Sequence, residues 1–292
     1  MNAGFVDRQQ VGRRFSRVAP SYAEADFFVR EVDSRMQERL DYVNLQPKRI
    51  LDLGCGRGGS FSALAARYPD AELIGLDVSP AMLSAGRAQK TGWRRWLGIR
   101  ETEDNWRLAA DASHLPLTAR STALVWSNLL LHWLDDPIPA LAEAHRVLEI
   151  GGLLMFSTLG PDTLKELRTA FSDGYAHTQR FADMHDLGDM LVGCGFADPV
   201  MDMEVITLTY DDLDAMLAEL RAAGSMCAMK ARRHGLTGRQ SWANARAAYE
   251  GLRRGGKLPA TFEIVYGHAW KTAPKQTPDG RAIVRFDLPR KG

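Results

Sequence analysis

Short apolar runs alternate with amphipathic segments along the first half of the chain, the pattern of a parallel sheet whose strands are joined by crossover helices. The runs at 49–53 (RILDL), 72–76 (ELIGL), 106–110, 123–127 (ALVWS) and 153–157 read as strands. A glycine-rich turn follows the first run and leads into a helix through Arg67. Ser79-Pro80 opens another helix, with the serine as N-cap and the proline at the first helical position. The segment 137–148 is an amphipathic helix that stops before Gly151-Gly152. The second half is less regular. Its pattern predicts helices over 161–171, 184–193, 211–223 and 239–254, a strand near 205–210, and an apolar, β-rich run at 261–270 (TFEIVYGHAW). No internal repeat and no clear interdomain linker breaks the chain.

Composition narrows the function. The 292 residues are 45% hydrophobic and 25% charged, which is ordinary for a globular protein and argues against disorder. Lys and Arg number 37 against 36 Asp and Glu, so there is no basic excess of the kind phosphate-led nucleic-acid binding needs. Cys55, Cys194 and Cys227 are too scattered for a disulfide framework and point to a reducing compartment. No apolar run reaches the roughly 18 residues that span a bilayer. The segment 1–17 lacks the apolar middle of a secretory signal. The expectation is a cytoplasmic protein with neither a membrane nor a nucleic-acid partner.

The chemistry concentrates in Leu51-Asp52-Leu53-Gly54-Cys55-Gly56-Arg57-Gly58. A strand carrying an aspartate runs into closely spaced glycines and then a helix. Glycines let the backbone approach a ligand and take positive φ, and a helix N-terminus offers oriented N–H donors. Asp77 ends the next strand, where a carboxylate can accept from both hydroxyls of a ribose. Gly58 falls at the wrong spacing for a dinucleotide fingerprint, and Asp52 has nothing to offer a pyrophosphate. A cationic ligand suits it better, and a sulfonium with an amino-acid tail, S-adenosylmethionine, fits better than NAD.

This stretch resembles motif I of the class I S-adenosylmethionine-dependent methyltransferases, with Asp77 in the motif II position. Asp111, in Ala109-Ala110-Asp111-Ala112, resembles the motif III acid that meets the adenine amino group, and Ser127-Asn128-Leu129 resembles motif IV. The resemblance implies a Rossmann-like α/β fold: a seven-stranded, mostly parallel sheet with an antiparallel last strand, helices on both faces and a helical lid. It also implies a cofactor site of Asp52, Gly54, Cys55, Gly56, Asp77, Val78, Asp111, Ala112 and Ser127. On this reading 1–271 is one methyltransferase domain. It has an N-terminal lid helix at about 13–45, a cofactor-binding core at about 48–159 and an acceptor and lid region at about 160–260. Residues 272–292 are a basic extension.

Three further stretches are similar to the malonyl-acyl-carrier-protein O-methyltransferases of biotin synthesis. They are Arg13-Arg14-Phe15-Ser16-Arg17-Val18-Ala19-Pro20-Ser21-Tyr22, Trp126-Ser127-Asn128-Leu129-Leu130-Leu131-His132-Trp133 and Gln179-Arg180-Phe181. That resemblance implies an acyl carrier protein bearing a malonyl group as partner, and methylation of its free carboxylate. Such a carboxylate is already ionised at pH 7 and needs no general base. Arg180 is the candidate holder, because a guanidinium matches a carboxylate in bidentate fashion, although a solvated surface arginine is the plainer alternative. Tyr22 either closes over the site from the lid or anchors its helix. His132 either hydrogen-bonds the acceptor or packs beside Trp133. The histidines lack metal-ligand spacing, so no metal is expected.

Basic clusters at Arg13, Arg14 and Arg17, at Arg94 and Arg95, at Lys230, Arg232 and Arg233, and at Arg253, Arg254 and Lys257 are candidate docks for an acidic carrier. The stretch 92–105, with Trp93 and Trp96, departs from the family pattern. Gly160-Pro161-Asp162-Thr163-Leu164 and His185-Asp186-Leu187-Gly188 also resemble a mitochondrial complex I assembly-factor family, which implies arginine hydroxylation of a partner. A methyltransferase for another small carboxylic acid and a non-enzymatic binding module are the remaining alternatives.

Overall fold

The computed structural model describes residues 5–88 and 106–273. The 92–105 stretch, with Arg94 and Arg95, and nearly all of the basic extension lie outside the described residues.

Seven strands form one sheet: β1 (Arg49–Leu53), β2 (Glu72–Asp77), β3 (Trp106–Ala109), β4 (Thr122–Asn128), β5 (Leu148–Leu159), β6 (Ala197–Tyr210) and β7 (Leu258–Trp270). Their order is β3-β2-β1-β4-β5-β7-β6. β1 pairs in parallel with both β2 and β4, while β7 runs antiparallel between β5 and β6. The strand order therefore reverses between β1 and β4. Open α/β sheets bind ligands at such a point, outside the carboxyl ends of the strands.

Alternation along β1 sends Ile50 into one apolar layer and Leu51 and Leu53 into the other, so both faces of the sheet are covered. The first layer packs α2 (Phe27–Arg39) and α3 (Phe61–Arg67), through Met36, Phe61 and Leu64, against Trp126 and Tyr266. It also takes in α6 (Lys165–Ala170), α8 (Leu213–Ala222) and α9 (Arg239–Glu250) of the second half. The second layer buries Leu141 and Val147 of α5 (Ile138–Val147) and Leu191 of α7 (Met184–Gly193). Helix α4 (Pro80–Ala88) starts as its sequence implies, with the Met82 N–H donating to the Ser79 hydroxyl at 3.4 Å.

Three elements differ from the pattern. The N-terminal segment holds two helices, α1 (Arg8–Val18) and α2, joined through a 3₁₀ turn at Tyr22–Glu24. β6 begins at Ala197 rather than near 205, because it is an edge strand that leaves Val200, Met203 and Val205 exposed and has no continuous apolar run to betray it. β5 begins at Leu148 and carries Gly151-Gly152 within it. The end of α5 is closed by buried Lys271, whose ammonium donates to the carbonyls of His145 and Leu148, both at 2.7 Å.

Candidate active site

The turn after β1 is built by glycines at φ +79° (Gly54) and +53° (Gly56), values that L side chains rarely adopt. The N–H groups of Gly54 and Cys55 both donate to the Leu76 carbonyl, at 2.7 and 3.0 Å. The Gly56 N–H donates to Oδ2 of Asp77 at 2.9 Å, and Oδ1 of Asp77 accepts from the Ser79 N–H at 2.7 Å. The carboxylate of Asp77 thus fastens the turn to the end of β2 and retains lone pairs for a ligand.

Asp52 lies beneath this turn, only 2% exposed, and its Oδ2 has no hydrogen-bond partner. Burial pushes its carboxyl well above the usual carboxylate range, and the charges of Asp33 and Asp77 push it the same way. Asp33, projecting from α2, is also buried and accepts from the Ser60 hydroxyl at 2.6 Å and the Trp126 indole at 3.0 Å. In the sequence it reads as one more acid on an amphipathic helix.

Asp111 accepts from the Ser113 N–H at 2.9 Å through Oδ1, while Oδ2 is paired with Arg8 of α1. Burial raises its carboxyl, but the amide and the guanidinium outweigh that and hold it below the usual range. Buried Ala112 and exposed Val78 line the same cavity. Ser127 does not. Its hydroxyl donates to the Leu53 carbonyl at 3.0 Å, tying β4 to β1 inside the sheet. The next residue, Asn128, reaches the cavity instead, with its amide donating to the Val29 carbonyl at 2.9 Å and accepting from the Ser157 hydroxyl at 2.6 Å.

The cavity, of about 770 Å³, continues from the turn to a second end under α1, α2 and α8. Its walls there are mainly apolar, including Phe28, Leu164, Leu167, Leu217, Leu220 and Phe262. Tyr22 lines it half-buried and edge-on to Phe15, with ring centroids 6.4 Å apart; burial pushes its phenol up, so the O–H stays on. His132, in a 3₁₀ turn after β4, is buried against Trp133 and Phe181, with Nδ1 3.3 Å from the Thr158 hydroxyl.

Burial alone pushes the His132 imidazole down to about 3, so it is neutral. Its ordinary value is 6.5, so between about pH 6.5 and 3 the unfolded chain takes up a proton that the folded protein refuses. Stability from this group is complete above that window and is lost as pH falls through it, by at most about 1.4 kcal/mol per pH unit. His132→Asn is expected to flatten the melting temperature against pH between about 6.5 and 4.5; identical slopes would contradict this.

Arg180 corrects the sequence expectation. Its neighbours Gln179 and Phe181 line the cavity, but Arg180 does not: its side chain is exposed, with the guanidinium 5.1 Å from the centroid of Phe5. Two cations of a basic cluster are engaged internally: Arg232 pairs with Asp7 at 3.2 Å and Arg233 with Asp173 at 3.5 Å.

Residues 51–156 match the family model described as "Methyltransferase domain". The chain is 49% identical to the malonyl-[acyl-carrier protein] O-methyltransferase of Gallionella capsiferriformans and 48% identical to that of Nitrosospira multiformis. The first match covers 98% of each chain, the second 97% of this chain and 96% of the relative. The chain belongs to the malonyl-[acyl-carrier protein] O-methyltransferase family. These relatives favour the first resemblance over the assembly-factor one. Among solved structures, a putative methyltransferase from Bacillus halodurans superposes with a TM-score of 0.57 at 15% identity, covering 82% of this chain and 99% of the other. The [4+2]-cyclase SpnF superposes at 0.51 and 20% identity, covering 82% and 81%. The fold is thus that of class I methyltransferases, but the fold alone does not fix the reaction.

The family's cofactor is S-adenosylmethionine, and the residues present fit it. A buried carboxylate with an unpartnered oxygen, beside two more carboxylates and a glycine turn, asks for a cation with hydrogen-bond donors. A sulfonium carrying an α-ammonium group and a ribose offers both. No helix among the described residues is long and apolar enough to cross a membrane.

Proposed function

We propose that this protein methylates the free carboxylate of malonyl-acyl carrier protein in the cytoplasm, an early step of biotin synthesis. The observation that carries the reading is one cavity with two unlike ends, an acidic end at the glycine turn and a neutral, largely apolar end under the lid helices. The relatives' shared name supplies the acceptor.

At the acidic end, Asp52 seats the cationic amino-acid portion of the cofactor, with Asp33 behind it. The backbone of Gly54, Cys55 and Gly56 would approach the ligand, Asp77 would accept from the ribose hydroxyls, and Asp111, with Val78 and Ala112, would hold the adenine. When bound, S-adenosylmethionine would supply a methyl group on a sulfonium, the C–S bond breaking as the acceptor oxygen bonds to that carbon, so that a neutral thioether is left.

The protein's own work is positional. A malonyl carboxylate carries no proton to remove, so no side chain has to act as base, and neutral His132 and protonated Tyr22 suit that requirement. The apolar walls exclude water from the carboxylate, and alignment of two bound reactants supplies about 7–11 kcal/mol of barrier lowering. With Arg232 and Arg233 engaged internally, exposed Arg13, Arg17 and Lys230 are the cations that dock the acidic carrier. They belong to segments that also line the cavity, through Val11, Phe15, Met226 and Cys227.

Intact mass of malonyl-acyl carrier protein after incubation with the protein and S-adenosylmethionine tests this reading. A gain of one methyl on the malonyl carrier, and none on the acetyl carrier, is expected. An unchanged malonyl carrier, with cofactor binding shown by calorimetry, overturns it.

A further inference from the structure

Gln179 is 7% exposed and lines the cavity. Its Oε1 accepts the Ala228 N–H at 3.2 Å. Only an oxygen can accept from a backbone amide, so this bond fixes the orientation of the side chain and leaves Nε2 as the other limb. That Nε2 is buried and has no partner. The segment is further fixed by Cys227, whose thiol donates to the Thr178 carbonyl at 3.2 Å. A rigidly held, desolvated NH₂ group on a residue that lines a cavity is costly in the free protein, and a small shift would let an acceptor oxygen brought by a ligand satisfy it.

We infer that Gln179 binds the acceptor carboxylate, its Nε2 donating to the oxygen that does not react. This deepens the proposed function and rests on it. A malonyl carboxylate brings two acceptor oxygens. One must be free to meet the methyl carbon, and a donor on the other fixes the plane of the group.

Charge explains why an amide serves better than the arginine first expected. The carboxylate loses its negative charge as it bonds to the methyl of a cationic donor, so a guanidinium clamped on it would stabilise the starting state more than the transition state and slow transfer. A neutral N–H orients the group with less of that penalty. The arginines along the cavity are Arg8, Arg30 and Arg57. The first two pair with Asp111 and Asp26, and the third belongs to the glycine turn.

Gln179→Leu and Gln179→Glu, each in the full-length protein, test the assignment with malonyl- and acetyl-acyl carrier protein and S-adenosylmethionine. Gln179→Glu keeps the acceptor for the Ala228 N–H, so it guards against a loss that is merely structural. At pH 7.5 both variants are expected to lose about 10- to 100-fold in kcat/KM, as for one hydrogen bond to a charged group. Cofactor affinity should stay within about twofold of wild type, and the binding preference for the malonyl over the acetyl carrier should vanish. Lowering the pH should partly restore Gln179→Glu, whose protonated carboxyl can donate, and leave Gln179→Leu unrestored. Wild-type turnover in both variants, or cofactor affinity falling in step with turnover, overturns the assignment. A wild-type protein that does not methylate the malonyl carrier overturns the functional reading and this inference together, an outcome distinct from failure of the variants alone.

Discussion

Asp52→Asn is expected to make the protein more stable and its hold on the cofactor much weaker. At 2% exposure, with one oxygen unpartnered and Asp33 and Asp77 nearby, the carboxylate is held at a cost in the free protein. Its folded-state pKa lies above the unfolded value, so stability is greatest below the ordinary carboxylate range and is lost as pH rises through the folded value. At neutral pH the amide removes that cost, and the melting temperature rises by a few degrees. The same change removes the seat of a desolvated cation, which weakens S-adenosylmethionine by at least about 100-fold. Calorimetric titration and thermal melts of one preparation check both signs. A destabilised variant that binds normally would show that Asp52 is part of the scaffold and not of the cofactor site.

Gly86→Ala is the second large effect. A Cβ at this position in α4 would stand 2.1 Å from the Arg57 carbonyl and 2.3 Å from Nη1 of Arg107, which itself donates to that carbonyl at 2.8 Å. Backbone cannot yield as a side-chain tip can, so either α4 or the glycine turn must move. The substitution is expected to destabilise by about 3 kcal/mol. It should also weaken the cofactor strongly, because the displaced turn carries Gly54 and Gly56. Denaturant unfolding with a cofactor titration reads both, and a variant with wild-type values in each would contradict the packing described here.

The cofactor half was legible because its chemistry is local. Buried parallel strands such as β1 and β4 read as unbroken apolar runs, and Asp52, Gly54, Cys55, Gly56, Asp77, Asp111 and Ala112 all line one cavity. Gly86 was not legible, since its constraint comes from a turn far off in the chain and a helical glycine carries no periodic signal. Asp33 was hidden for a similar reason: only the fold shows that Ser60 and Trp126 converge on it. Ser127 misled because a hydroxyl after a strand can equally satisfy a neighbouring strand, as it does at Leu53. The acceptor end was the least legible. In the irregular segment around 179–181 no period decides which side chain turns inward, and chemistry alone favoured Arg180 where the fold turns Gln179 and Phe181 to the cavity.

The Arg8–Asp111 pair ties α1 to the wall of the cavity. Under the proposed function Asp111 also contacts the cofactor, which would link the position of α1 to the occupancy of the site through one carboxylate.

The most direct test of the central claim is transfer from S-adenosylmethionine labelled in its methyl group to malonyl-acyl carrier protein, followed by mild alkaline hydrolysis. A carboxyl methyl ester releases the label as methanol, in an amount equal to the methyl groups transferred. Label that stays on the carrier after hydrolysis, or that never reaches it while the cofactor binds, would contradict carboxyl methylation at this site.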